Sequence, residues 1–114
     1  MHELSIAMEI LDIVAKAASE HGSDRVKSVR LRVGDLSGVE VNSLTFSFDA
    51  IKGERELTGD AELIVEKVPL KVHCRSCDRD FTGEGQYLTC PSCEGFDTEM
   101  LCGDELSVVD IEVD

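Results

Sequence analysis

The sequence predicts an α+β fold: a small three-stranded mixed sheet with two helices, into which a four-cysteine module is inserted. Three observations lead to this prediction. Two Cys-x-x-Cys motifs, Cys74–Cys77 and Cys90–Cys93, are separated by twelve residues. The hydrophobic period changes along the chain from that of a helix to that of a strand and back. A last alternating stretch follows the cysteines, and we expect it to return to the sheet formed before them.

Two stretches have the period of a helix. In residues 4–21 apolar side chains recur every three or four positions, and Gly22 tolerates the left-handed conformation that closes a helix. The density of apolar side chains there indicates that this helix lies on a sheet. Residues 41–52 are ambiguous because their middle also alternates like a strand. A helix is the preferred interpretation, since the apolar pattern continues to Ile51.

Three stretches alternate as β-strands do, at residues 26–33, 61–68 and 105–113. A polar loop separates the second helix from the second strand, and Pro69 closes that strand. Because the third strand follows the cysteines, their module is an insertion and not a tail. We therefore expect one domain formed by residues 1–69 and 104–114, with an inserted domain at 70–103.

The paired cysteine motifs indicate a tetrahedral metal site. Each Cys-x-x-Cys turns the backbone into a knuckle, and two knuckles place four thiolates around one ion. Residues between the pairs are typical of a hairpin: Phe81, Gly83, Gly85, Tyr87 and Leu88. The expected ligands are Cys74, Cys77, Cys90 and Cys93. Zinc is the favoured metal and iron in a rubredoxin-like centre is the alternative, while Asp78 and Glu94 occupy positions where such knuckles usually carry glycine.

A four-cysteine site has no open coordination position, so it predicts a structural zinc ribbon and says little about function. Charge is more informative. The chain has 24 acidic and 11 basic residues, for a net charge of -13. Such a surface repels nucleic-acid phosphates and attracts cations and basic proteins. An apolar run long enough to span a membrane is absent from the sequence.

The chain begins Met1-His2-Glu3-Leu4, with neither the basic nor the apolar region of a signal peptide. We expect a cytoplasmic protein whose thiols stay reduced. The terminus also offers chelating nitrogens: the Met1 amine, the His2 amide and the His2 imidazole can lie in one plane around an ion. That arrangement suits nickel(II) or copper(II). The alternative interpretation is a frayed, solvated terminus.

Five motifs together resemble the HypA/HybF family of nickel metallochaperones for [NiFe]-hydrogenase maturation. They are Met-His-Glu-Leu-Ser at the start, Arg-Val-Gly-Asp-Leu-Ser-Gly-Val-Glu at 32–40, Leu-x-Phe-x-Phe at 44–48, the paired cysteines, and the ending Gly-x-Glu-Leu-x-Val-x-x-Ile-Glu-Val. The resemblance implies transferable nickel at Met1, His2 and Glu3, and structural zinc at the four cysteines. It also implies a nickel-handling GTPase partner and delivery to the hydrogenase large subunit.

Other functions stay open on the sequence alone. A zinc-ribbon module that binds nucleic acid or protein is the main alternative, with Arg25, Lys27, Arg30 and Arg32 as the plausible basic patch. A rubredoxin-like electron carrier is another, whereas no nucleophile and base at interpretable spacing support an enzyme. The oligomeric state is undetermined, with a homodimer as one alternative.

We expect Cys102 to be a small buried residue. We expect His73 to be a strand-end histidine, with metal ligation or sensing as its alternative.

Overall fold

The computed structural model describes residues 3–83 and 89–114. Within them the elements run α1 (Glu3–Glu20), β1 (Val26–Gly34), α2 (Val41–Ile51), β2 (Glu62–Val68), β3 (Lys71–Cys74), β4 (Arg79–Thr82), β5 (Thr98–Cys102) and β6 (Leu106–Val113). The predicted α+β fold is confirmed. Every predicted helix and strand is present with ends within one residue, including the helix at 41–52. The loop before β2 contains two short 3₁₀ turns, Lys52–Glu54 and Glu56–Thr58.

The six strands of the described residues form two three-stranded sheets. The first has the order β2-β1-β6 and the second the order β4-β3-β5. Arg30 on β1 forms an ion pair with Asp110 on β6, and Ser28 donates a hydrogen bond to Glu112. Partner numbers fall on β6 as they rise on β1, so these strands are antiparallel. β2 follows β1 through the crossover helix α2, and the sheet is mixed as predicted.

Two compact units divide the chain. One consists of residues 1–31, 39–66 and 107–114, and the other of residues 32–38 and 67–106. The second unit contains the four predicted zinc ligands and the β4-β3-β5 sheet. The division of the chain into a nickel-binding domain, 1–69 with 104–114, and a zinc-binding domain, 70–103, stays a prediction.

The core of the first unit joins the apolar faces of the helices to the central strand. Its members are 0–5% exposed: Ala7, Ile10, Leu11, Val14, Ala18, Val26, Val29, Leu31, Leu44, Phe48 and Ala61. The two helices pack against each other. In the described parts of the chain, neither helix has the length and apolarity that a membrane span requires.

Both helices have ends that their sequence explains. After α1, the N–H of Ser23 donates to the Ala18 carbonyl and that of Gly22 to Ser19, while Gly22 has a φ of 70°. This is a Schellman closure, and it confirms Gly22 as the predicted stop. At the start of α2, the Glu40 carboxylate accepts a hydrogen bond from the Ser43 N–H at 2.5 Å. Glu40 therefore caps an N–H group that the helix leaves unpaired.

In the second unit, β3 lies between β4 and β5 and is antiparallel to both. The predicted hairpin lay between the two cysteine pairs, whereas the β3–β4 hairpin turns around the first pair. Of the residues assigned to the predicted hairpin, Phe81 lies on β4, Gly83 follows it, and Gly85, Tyr87 and Leu88 are outside the described residues. Strand β5 was not predicted.

Backbone hydrogen bonds in the second unit join three segments into a junction, formed by residues 34–36, Val68 and residues 103–105. The bonds are Gly34 N–H to the Glu105 carbonyl at 2.7 Å, Asp35 N–H to Val68 at 3.0 Å, and Leu36 N–H to Gly103 at 2.7 Å. A Cβ atom on Gly34 would lie 2.2 Å from the Gly103 carbonyl carbon. The junction thus requires glycine at position 34, because backbone atoms leave no space for a side chain.

Candidate metal centre

The first pair of cysteines lies at the turn of the β3–β4 hairpin. Cys74 ends β3 and is fully buried, and Cys77 follows in the turn. The next residue, Asp78, has a φ of 56°. A left-handed residue directly after the second cysteine reverses the chain, which is the reason that glycine is common there. This cysteine motif therefore forms a knuckle, residues 74–78, despite an aspartate at the strained position.

The second pair forms a knuckle of the same kind at residues 90–94. Cys90 is 1% exposed, Cys93 is exposed, and Glu94 has a φ of 58°. The Glu94 N–H donates to the Cys90 carbonyl at 2.8 Å, and the Cys90 N–H donates to the Gly95 carbonyl at 3.1 Å. These bonds hold the turn in its closed form. The two acidic residues that replace glycine thus adopt the glycine-like conformation in both knuckles.

The two knuckles bring four sulfur atoms together. The Sγ atoms of Cys74 and Cys93 are 3.6 Å apart, as are those of Cys77 and Cys90, and all four lie within 4.8 Å of one another. Tetrahedral zinc with sulfur ligands at about 2.3 Å requires S–S separations of about 3.8 Å. The four residues fit zinc in number, ligand type and spacing. We refer to them as the cysteine cluster.

Protonation of the thiols shows what the cluster requires. Hydrogen bonds from the Cys93 and Ser92 backbone N–H groups lower the pKa of Cys90 to about 6. Hydrogen bonding to Cys74 and Cys90, with desolvation, raises the pKa of Cys77 to about 12. The Gly95 N–H lowers the pKa of Cys93, but hydrogen bonds to Cys74 and Cys90 outweigh it and the net pKa is raised. Four thiolates at this spacing therefore need a cation to ionise together.

His73 does not face the sulfur atoms. Its Nδ1 lies 2.6 Å from an Asp80 oxygen and its Nε2 lies 3.3 Å from an Asp78 oxygen. The hydrogen bond to Asp80 is the main reason that the pKa of His73 is raised. With both ring nitrogens directed at carboxylates, His73 is a strand-end residue that ties β3 to the knuckle, as preferred from the sequence.

The fifth cysteine lies apart from the cluster. Cys102 ends β5, is partly buried, and its Sγ lies 3.5 Å from the Pro69 carbonyl oxygen. It is not among the cysteines whose sulfur atoms converge. Its environment is that of a partly buried small side chain.

The predicted nickel ligands are described only in part. Met1 and His2 lie outside the described residues, whereas Glu3 begins α1. The Glu3 carboxylate accepts a hydrogen bond from the Glu40 N–H at 3.4 Å. Sequence reasoning missed Glu40, because glutamate is not among the residues that usually cap the N-terminus of a helix. The Glu3 carboxylate therefore lies at the N-terminal end of α1 and the Glu40 carboxylate at that of α2, where the helix dipoles favour negative charge.

The fold and the cysteine cluster define a small α+β protein with a four-cysteine centre suited to a metal such as zinc. The model of the HypA family, described as a hydrogenase/urease nickel incorporation metallochaperone, matches residues 1–113. The chain belongs to the HypA family. This is a family of metallochaperones and not of enzymes.

Individual relatives match this chain over nearly their full length. Hydrogenase maturation factor HypA of Chlorobaculum parvum is 40% identical over 114 residues, which is 100% of each chain. That of Chloroflexus aurantiacus is 43% identical over 113 residues, 98% of each chain. The solution structure of the Ni metallochaperone HypA from Helicobacter pylori superimposes with a TM-score of 0.70 at 19% identity, covering 99% of this chain and 97% of the other. At that identity the likeness concerns the fold.

Proposed function

We propose that this chain binds nickel(II) at its N-terminus and delivers it to the large subunit of a [NiFe]-hydrogenase, together with a nickel-handling GTPase. The match of residues 1–113 to a nickel incorporation family is the observation that carries the proposal. Relatives that share the full length are maturation factors for hydrogenase. Delivery takes place in the cytoplasm, where the thiols remain reduced.

The nickel ligands in this proposal come from Met1, His2 and Glu3. The Met1 amine, backbone amide nitrogens and the His2 imidazole form a nitrogen set that suits square-planar nickel(II). A site at a chain terminus can be reached by an acceptor protein, so its ion can be given up on contact. The Glu3 carboxylate accepts a hydrogen bond from the Glu40 N–H. We therefore assign the Glu3 carboxylate to positioning the terminus, and its backbone nitrogen to the metal.

Zinc in this proposal is a permanent component. The cysteine cluster supplies four sulfur ligands at tetrahedral spacing, which leaves no coordination position for a substrate. Bound zinc would supply the positive charge that keeps four neighbouring thiols ionised and would join the knuckles. The cluster therefore stabilises the second unit, and cargo nickel is handled elsewhere in the chain.

The nucleic-acid alternative loses support from the ion pairs of the first unit. Of the predicted basic patch, Arg25 pairs with Asp60, Lys27 with Asp114 and Arg30 with Asp110. A cation already paired with a carboxylate contributes little net positive charge for phosphate binding. The patch is the solvated, ion-paired face of a strand.

Replacing His2 by alanine should abolish stoichiometric nickel binding, because the imidazole is one of the few side-chain ligands available at the terminus. Zinc content and thermal stability should stay unchanged. Isothermal titration of the untagged protein with nickel, with metal analysis by mass spectrometry, measures both. His21→Ala is the matched control, since His21 is an exposed histidine at the other end of α1.

Undiminished nickel binding by His2→Ala would remove the terminal site from this account. A second variant distinguishes the contribution of the amine from that of the imidazole. Extra residues placed before Met1 convert its amine into a peptide amide and leave His2 intact. The proposal expects weaker nickel binding in that variant as well.

A further inference from the structure

The structure places a cationic side chain across the two knuckles. Arg75 lies between the cysteines of the first knuckle, and its N–H donates to the Asp97 carbonyl at 3.0 Å. Its guanidinium reaches the Asp97 carboxylate at 2.9 Å and the Glu99 carboxylate at 3.7 Å. Asp97 follows the second knuckle, and Glu99 lies on β5. One residue of the first knuckle therefore binds the segment that leaves the second.

The position of this contact in the chain gives it a particular role. Within each knuckle, the two cysteines are held by the short turn between them. The two cysteine pairs are separated by twelve residues, and separation of the two knuckles moves the sulfur atoms of one away from those of the other and promotes release of a bound ion. Such a separation breaks the Arg75–Asp97 contact.

The charges around the cysteine cluster also favour a role of Arg75 in holding the two knuckles together. Four thiolates around a divalent ion carry two negative charges, and Asp97 and Glu99 add two more on the neighbouring strand. Arg75 is the cation placed among them, and its guanidinium donates a hydrogen bond to the Asp97 carboxylate. Without Arg75 the two carboxylates would face an anionic cluster without compensation, and repulsion would favour separation of the knuckles.

We propose that Arg75 is a positioning residue of the metal centre, which holds the second knuckle against the first through Asp97 and Glu99 and thereby slows metal release. This inference rests on the proposed binding of zinc by the cysteine cluster. Because all three side chains are about half exposed or more, the contact is screened by water and the effect is moderate. We expect release to accelerate by about twofold to fivefold when the guanidinium is removed.

The test is the rate at which zinc passes from the protein to an excess of the chromophoric chelator 4-(2-pyridylazo)resorcinol. Arg75→Ala and Asp97→Asn should both release zinc faster than the unaltered protein. The matched control is Arg79→Ala, because Arg79 follows the same knuckle and forms no ion pair among residues 3–83 and 89–114. Exchanging the charges, with Arg75→Asp and Asp97→Arg in one chain, should restore slow release, which a loss of general stability would not do.

Equal release rates for the unaltered protein, Arg75→Ala and Arg79→Ala would overturn the role of Arg75. If Arg75→Ala fails to fold, Arg75→Lys keeps the charge and removes the fork of donors, so release at an intermediate rate supports the proposal and an unchanged rate opposes it. An unaltered protein that contains no zinc would refute the metal assignment itself, and this inference with it.

Discussion

Cys90→Ala is expected to lose zinc almost completely, to below about a tenth of an equivalent, and to destabilise the second unit. Cys90 is 1% exposed, and its sulfur lies 3.6 Å from that of Cys77 in the centre of the cluster. Structural zinc sites contribute about 10–16 kcal/mol of apparent binding free energy at pH 7. Three remaining sulfurs leave the second knuckle with a single ligand and one coordination position to water, so zinc should be lost during dialysis against a chelator.

Metal analysis after dialysis measures the zinc, and hydrogen exchange of backbone amides in residues 67–106 measures the stability of the unit. Cys102→Ala is the matched control, since Cys102 is the cysteine outside the cluster and its sulfur lies 3.5 Å from the Pro69 carbonyl. That variant should keep one equivalent of zinc. Full zinc content in Cys90→Ala would show that the cluster is not the zinc site.

Gly34→Ala is expected to lower the free energy of unfolding by about 3 kcal/mol or more. The new Cβ would lie 2.2 Å from both the carbonyl carbon and the oxygen of Gly103, and 2.6 Å from the Glu105 nitrogen. These are backbone atoms held by the hydrogen bonds of the junction, so they cannot move aside as a flexible side chain would. The variant must either break the junction or displace a strand end.

Thermal or urea unfolding followed by circular dichroism measures this loss, which corresponds to a fall in Tm of roughly 12 °C or more. Gly53→Ala is the matched control because nothing lies within 4 Å of a Cβ at that position. It should change stability by less than about 1 kcal/mol. A loss of stability in Gly34→Ala as small as that in Gly53→Ala would mean that the junction is not closely packed.

Much of the fold could be predicted because short stretches determine it. The helical period of residues 4–21 and the glycine after them specify α1 without any distant contact. The ambiguous stretch at 41–52 is a helix: Leu44 and Phe48 are fully buried, whereas Phe46, which a strand would place on the same face, is 76% exposed. Strand β5 was missed, since Thr98–Cys102 is short and mostly exposed and depends on pairing with β3.

The metal centre, too, could be predicted from the sequence only in part. Cys-x-x-Cys spacing fixes a knuckle locally, so four converging sulfurs could be expected from the sequence, including the unusual Asp78 and Glu94. The contact of Arg75 with Asp97 could not, because it depends on the register of β3 against β5. The hydrogen bond from Glu40 to Glu3 depends on the packing of two helices that are 20 residues apart in the chain. The nickel site at Met1 and His2 stays a prediction.

We propose that one part of this chain keeps its metal and another part gives its metal up. The most direct test loads the untagged protein with zinc and nickel, adds excess EDTA at neutral pH, and follows both metals by mass spectrometry over time. We expect one nickel per chain that is lost within minutes, while one zinc per chain is retained. Nickel that enters only by displacing zinc, so that the total stays at one metal per chain, would contradict it.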